Sequence, residues 1–140
     1  MTTLTSPTRP SLAARRRPGR TTALGAFFAM TAGMHVGIVA ADTSFYDAFA
    51  DASPWAFVRT GWQEVFLAQP VLWGLLVALG ELTIAVLLLV GGRPARLGWI
   101  AAITFQGLLV LFGWGFLWWS VPFTVLLLLG ARHDWPRLAT

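Results

Sequence analysis

Residues 98–131 read GWIAAITFQGLLVLFGWGFLWWSVPFTVLLLLGA, and the number of times this run crosses a bilayer decides the fold. It contains 34 residues and no charge. A spanning helix needs about 20 apolar residues, within a range of roughly 17–25. The run is therefore too long for one pass and slightly short for two. Gly113-Trp114-Gly115, followed by Ser120-Val121-Pro122, suggests a tight hairpin between two short helices, because glycine and proline close helices. Two helices of about 15 residues fit where the bilayer thins locally or neighbouring helices shelter them. The run is read as two passes, 97–114 and 117–131.

The rest of the chain supports a membrane address. Of 140 residues, 56% are hydrophobic and only 11% are charged, and the mean hydropathy is +0.68. A soluble domain carries about 25% charged residues, so the composition predicts an integral membrane protein of one domain. Two more apolar spans precede the 98–131 run. The first is 21–41, and the second is 70–90, which includes VALGELTIAVLLLV at 77–90. Gly91-Gly92-Arg93-Pro94-Ala95-Arg96 reads as a turn. The expected fold is all-α: a four-helix membrane bundle spanning 21–132. An Arg-rich disordered tail at 1–20, a polar-aromatic connector at 42–69 and a short tail at 133–140 complete it. Cysteine is absent, which excludes thiolate catalysis, disulfides and cysteine-ligated metals.

Charge sets the expected threading. All ten basic residues are arginines. With four passes and a cytoplasmic N-terminus, Arg9, Arg15, Arg16, Arg17, Arg20, Arg93, Arg96, Arg132 and Arg137 are cytoplasmic and only Arg59 is outside, in accord with the positive-inside rule. Three passes would strand Arg132 and Arg137 outside. Asp42, Asp47, Asp51 and Glu64 all fall in the outer connector. The sequence pI near 11.4 would suggest nucleic acid in a soluble chain, but here topology accounts for it. Both termini are expected in the cytoplasm of a bacterium, with the spans in its inner membrane. Most tryptophans, including Trp55, Trp62 and Trp114, fall near the outer interface, with Trp99 and Trp135 near the inner one, as an aromatic belt predicts. A cleaved secretory signal is not expected, because the first apolar run exceeds the 7–15 residues of a signal core.

Within the connector, Ser53-Pro54 reads as an N-cap followed by proline at the first helical position. Trp55, Val58, Trp62, Val65 and Phe66 then recur at helical spacing, predicting an amphipathic helix in the outer interface. Trp55 and Trp62 are expected to cover the helix ends or to lid a cavity.

Few side chains at membrane depth can carry chemistry. Glu81 falls near the middle of the second span, Gln106 at similar depth in the third, and His35 about a turn outward of centre in the first. An acid at a helix centre costs about 2.5–3.5 kcal/mol on insertion scales. Glu81 should therefore face inward and bond across helices, or stay protonated as a donor. His35 is its one cationic candidate partner and Gln106 the best neutral one. Thr31 and Thr104 are further candidates. Such groups also serve as ordinary interhelical glue, at about 0.6 kcal/mol each. Gly33 and Gly37 form a small-xxx-small pair expected to let helices approach closely. His35 and His133 lie too far apart in sequence to suggest a metal site, and no set of catalytic residues is evident.

Leu24-Gly25-Ala26-Phe27-Phe28 with Ala32-Gly33-Met34-His35-Val36, and Gly80-Glu81 followed by Leu87-Leu88-Leu89, Gly91-Gly92 and Arg93-Pro94-Ala95-Arg96, resemble DoxX-like membrane proteins across most of residues 24–131. In that family a basic residue stands in the first helix, here His35, and an acid in the second, here Glu81. The Trp-rich third hairpin and the long connector depart from its usual pattern. The resemblance implies a four-helix membrane bundle among relatives that include a thiosulfate:quinone oxidoreductase subunit and partners of redox enzymes. The leading expectation is an accessory subunit that docks a redox-enzyme or other membrane partner, itself without catalytic activity or cofactor. A quinone-interacting oxidoreductase subunit is the alternative, and a small-solute transporter, requiring a dimer or larger oligomer, the third.

Overall fold

The computed structural model describes residues 19–138. The expected tail 1–20 lies outside the described residues except for Gly19 and Arg20, as do the last two residues of the tail 133–140. The described chain is helical. Helix α1 covers Arg20–Ala41 and is followed by a 3-10 turn, Thr43–Tyr46. Helix α2, Ala56–Gly61, continues into a π turn, Trp62–Phe66. Helix α3 covers Pro70–Val90, α4 Gly92–Leu108 with a 3-10 extension Leu109–Phe112, and α5 Trp114–Asp134.

Four helices are long and apolar enough to cross a membrane: Arg20–Ala41, Pro70–Val90, Gly92–Phe112 and Trp114–Asp134, of 21 or 22 residues each. At 1.5 Å per residue each reaches about 32 Å, matching a hydrocarbon core of about 30 Å. By length and composition this is a multi-pass membrane protein. The third and fourth spans are not the shortened helices expected at 97–114 and 117–131. Each reversal is compressed around a glycine at positive φ, Gly91 (77°) and Gly113 (87°). Arg93–Arg96 therefore join α4, with Pro94 in the first turn, where its missing N–H is harmless. Pro122, expected to mark the break, lies inside α5.

The long helices pack in chain order, α1 on α3, α3 on α4 and α4 on α5. One end carries Arg20, Arg93, Arg96 and Arg132. There Arg20 pairs with Asp134 at 3.5 Å, and Arg96 donates to the Trp135 carbonyl at 3.1 Å and stacks on its ring. The other end carries the connector and Arg59. The tight core lies toward the arginine end, where Leu24, Phe28, Leu88, Ala95, Trp99 and Leu127 interlock. Trp99, expected near the interface, is buried in that core, because α4 begins at Gly92 and carries it about two turns inward.

Lipid competes with helix faces for apolar contact, so close backbone approach matters more than hydrophobicity in holding spans together. The glycines that permit it are not the expected pair. A Cβ at Gly33 or Gly37 would meet nothing within 4 Å, whereas one at Gly25 would stand 2.7 Å from Leu89 and one at Gly98 2.9 Å from Leu88. Gly33 and Gly37 face outward from α1.

Candidate functional site

Beyond the tight core, toward the connector end, the helices diverge around a cavity of about 460 Å³. Its wall is mostly aromatic. Phe27 and Phe28 come from α1, Phe105 from α4, Phe112 from the 3-10 extension and Phe116 and Trp119 from α5. Tyr46, Phe49, Trp62 and Phe66 come from the connector. The polar wall groups include Thr31, His35, Glu81 and Gln106. The three principal site residues expected from sequence thus share one cavity. Thr104 does not reach it and is exposed.

Glu81 lies near the middle of α3, and its side chain is 5% exposed. Its Oε2 makes no hydrogen bond. The expected bond to His35 is missing: His35 Nε2 stands 3.9 Å from that oxygen, beyond hydrogen-bond length. The Thr31 hydroxyl, also in the wall, donates to the Phe28 carbonyl at 3.1 Å. Gln106 does not bond Glu81 either. Its Nε2 donates to Ser120 Oγ at 3.2 Å, tying α4 to α5 with both side chains buried.

The partner that sequence reasoning missed is Tyr46. Its phenol oxygen is 2.8 Å from His35 Nδ1, and the two rings lie nearly parallel, 5° apart, at 5.8 Å. A capped turn delivers it. The Asp42 carboxylate accepts from the Ser44 N–H at 2.9 Å and from the Ser44 hydroxyl at 2.8 Å, and both bonds hold the Asp42 carboxyl below the usual carboxylate range. The turn after Asp42 then places Tyr46 beneath the connector, where the Trp62 indole N–H donates to its backbone carbonyl at 2.8 Å. Burial, and secondarily the charge of Glu81, raise the Tyr46 phenol above its ordinary pKa. Tyr46 is the only tyrosine in the chain. That singularity, in a connector otherwise rich in Phe and Trp, was the available sequence signal.

Glu81, His35 and Tyr46 thus form a line of three proton-carrying groups with one gap. If the phenol donates to Nδ1, Nε2 carries its proton toward Glu81. If Nδ1 donates to the phenol, Nε2 presents a lone pair. In either tautomer the 3.9 Å separation leaves room for a bound oxygen or nitrogen atom to touch both Glu81 and His35.

The connector roofs this site. Trp62 stacks on Phe66 at 3.8 Å and on Phe49 at 5.8 Å. Ser53 is not the expected N-cap of a helix starting at Pro54, since α2 begins at Ala56. Its buried hydroxyl instead donates to the Leu111 carbonyl at 2.6 Å and accepts from the Trp55 N–H at 3.2 Å. Arg59 donates to the Ser53 carbonyl. The two expected lid residues part company: Trp62 is in the wall, while Trp55 is exposed and outside it. Among the described residues, no group of three or more His, Cys, Asp or Glu side chains is placed to hold a metal ion. No family model, curated protein or solved structure matches the chain.

Proposed function

We propose that the protein is a DoxX-like four-helix bundle of the bacterial inner membrane that binds a small ring-shaped molecule of quinone type inside the bundle, as the membrane subunit of a redox assembly. In this reading both termini are cytoplasmic, with the arginine end inward, and the connector lies in the outer interface with Trp55 at its surface. The observation that carries the ligand reading is the unpartnered Glu81 oxygen facing an aromatic cavity beside a His35 held by Tyr46. Glue alone does not call for it, because a buried acid used only to join helices should be satisfied by its neighbours. Aromatic rings offer flat faces to a ring-shaped guest at spacings of about 4.5–7 Å. Glu81 and His35 would meet one ring oxygen and exchange a proton with it, and Tyr46 would orient the imidazole.

This favours the ligand-binding alternative over a purely structural accessory, while a docking role for the outer surface stays compatible with it. The test is purification in mild detergent, organic extraction of bound quinones, and titration with a fully substituted benzoquinone monitored by tryptophan fluorescence. Trp62 and Trp119 line the cavity, so binding should quench emission. Glu81→Gln should leave the fold intact and weaken binding about tenfold, the loss of roughly one charge-assisted hydrogen bond. Failure of wild-type protein to carry or bind quinone at saturating concentration would remove the proposal.

A further inference from the structure

The cavity wall is uneven. Three of its helix seams are closed by backbone approach, α1 on α3, α3 on α4 and α4 on α5, but α1 and α5 have no comparable contact. Side chains alone bridge that seam: Phe27 of α1 meets Phe123 at 5.2 Å and Trp119 at 6.0 Å, and these two α5 rings stack on each other at 4.7 Å. Around the seam, residues that line the cavity also face outward. Met34 of α1 is 54% exposed, Trp119 of α5 48%, and Phe45, above them, 57%. Leu108 of α4 also lines the cavity and is 54% exposed, but α4 is closed by backbone approach against both α3 and α5. It is therefore at the α1–α5 seam that half-exposed lining side chains mark a mouth.

Beyond Phe45, the connector is fastened down. Ser53 is bonded to Leu111 at 2.6 Å, and Gly113 lies so close to the Ala52 carbonyl that a Cβ there would collide with it. On the other side Tyr46 is bonded to His35 of α1, and the Trp62 bond to the Tyr46 carbonyl ties the roof to itself. Passage through the roof would require these contacts to break together, whereas the seam, beyond the Arg20–Asp134 pair at the arginine end, is held at cavity depth by these ring contacts.

Depth then decides what lies outside the opening. Met34 is fourteen residues into α1, or about 21 Å from the arginine end and about 10 Å short of the other. That level belongs to the hydrocarbon layer of a bilayer with a core of about 30 Å.

We infer that the cavity opens sideways between α1 and α5 into the hydrocarbon, and that it takes a membrane-dissolved molecule whose ring-bearing head reaches Glu81 while its apolar tail stays in the seam. This rests on the ligand-binding reading above and adds the route and the tail. A tail needs no desolvation to leave lipid for an apolar seam, since lipid chains are as apolar as the helix faces. The head alone must exchange its surroundings for the polar wall.

The test uses the full chain in lipid nanodiscs and calorimetry with two probes sharing one fully substituted benzoquinone head, one tail-less and one with a decyl tail. Met34→Trp puts a bulky ring in the mouth from a position facing outward. The tailed probe should lose affinity about tenfold, the usual scale of an overpacking clash, while the tail-less probe changes less than about twofold. Trp119→Leu widens the opposite side and should speed association of the tailed probe. Equal losses for both probes in Met34→Trp, or no loss for either together with unchanged kinetics in Trp119→Leu, would overturn the lateral route and leave the cavity reading standing. Wild-type protein that binds neither probe would overturn both.

Discussion

Replacing Tyr46 by phenylalanine removes one oxygen from the site and little else. The ring keeps its contacts with Phe66 at 5.1 Å and Phe49 at 5.7 Å, so no cavity opens. The loss is the 2.8 Å bond to His35 Nδ1, which leaves a mostly buried ring nitrogen without its partner. Orphaning a buried polar atom costs about 1–3 kcal/mol, but polar pairs between membrane helices average about 0.6 and reach about 1.7 kcal/mol. A loss of about 1 kcal/mol lies where the ranges meet. For a chain of this size it corresponds to a fall of about 4 °C in Tm. Thermal unfolding in mild detergent would measure it, and a cycle with His35→Leu would assign it. On the His35→Leu background, Tyr46→Phe should cost almost nothing, since the oxygen no longer has an imidazole to hold. Equal costs in both backgrounds would refute the claim that the phenol acts through His35. Quinone affinity supplies a second readout: a freely rotating imidazole should weaken binding about fivefold, the equivalent of about 1 kcal/mol.

Because Tyr46 is the single tyrosine, absorbance titration near 295 nm reads it alone. Its phenolate should emerge above the ordinary value of about 10, in keeping with the direction given by burial and Glu81. A folded-state pKa above the unfolded one gives stability that is complete below about pH 10 and lost as pH rises through the folded value. A Tyr46 that titrates normally in folded protein would contradict its burial. Gly98→Ala and Gly74→Ala should each destabilise by about 1–3 kcal/mol, because the new Cβ would stand 2.9 Å from Leu88 and 2.7 Å from Val39 respectively. Gly33→Ala and Gly37→Ala meet open space and should be neutral or stabilising by up to about 1 kcal/mol. Thermal shifts of the four variants would check the assignment of close contacts. Ser53→Ala removes the bond to Leu111 and should speed hydrogen exchange of residues 53–66; unchanged exchange would mean that Ser53 does not pin the connector.

The spans were legible because hydropathy and helix length are bulk properties. The expected 70–90 coincides with Pro70–Val90 and 21–41 nearly with Arg20–Ala41. The reversals were harder, since composition announces a glycine-rich break but not that it narrows to one residue, and Pro122 reads as a break although α5 absorbs it. Depth brought Glu81, His35 and Gln106 together on paper, but depth says nothing of azimuth. Gln106 turns to Ser120, Thr104 turns outward, and Gly33 and Gly37 face away from every neighbour. Tyr46 was missed for a related reason: a connector residue has no assigned depth until the Asp42–Ser44 turn tucks it beneath the roof.

The compressed reversals at Gly91 and Gly113 also bear on how the molecule is assembled. Segments joined by so little chain must lie side by side and run in opposite directions, so the sequence of neighbours from α3 through α5 is dictated by tether length before any side chain is consulted. α1 alone, on a leash of 28 residues from 42 to 69, is free to select its seat. It brings His35, and its fit over Gly25 against Leu89 is what aligns that imidazole with Glu81. Biogenesis of the site therefore turns on the docking of a single helix, and errors in that one event would leave a well-inserted protein whose acid has no imidazole beside it.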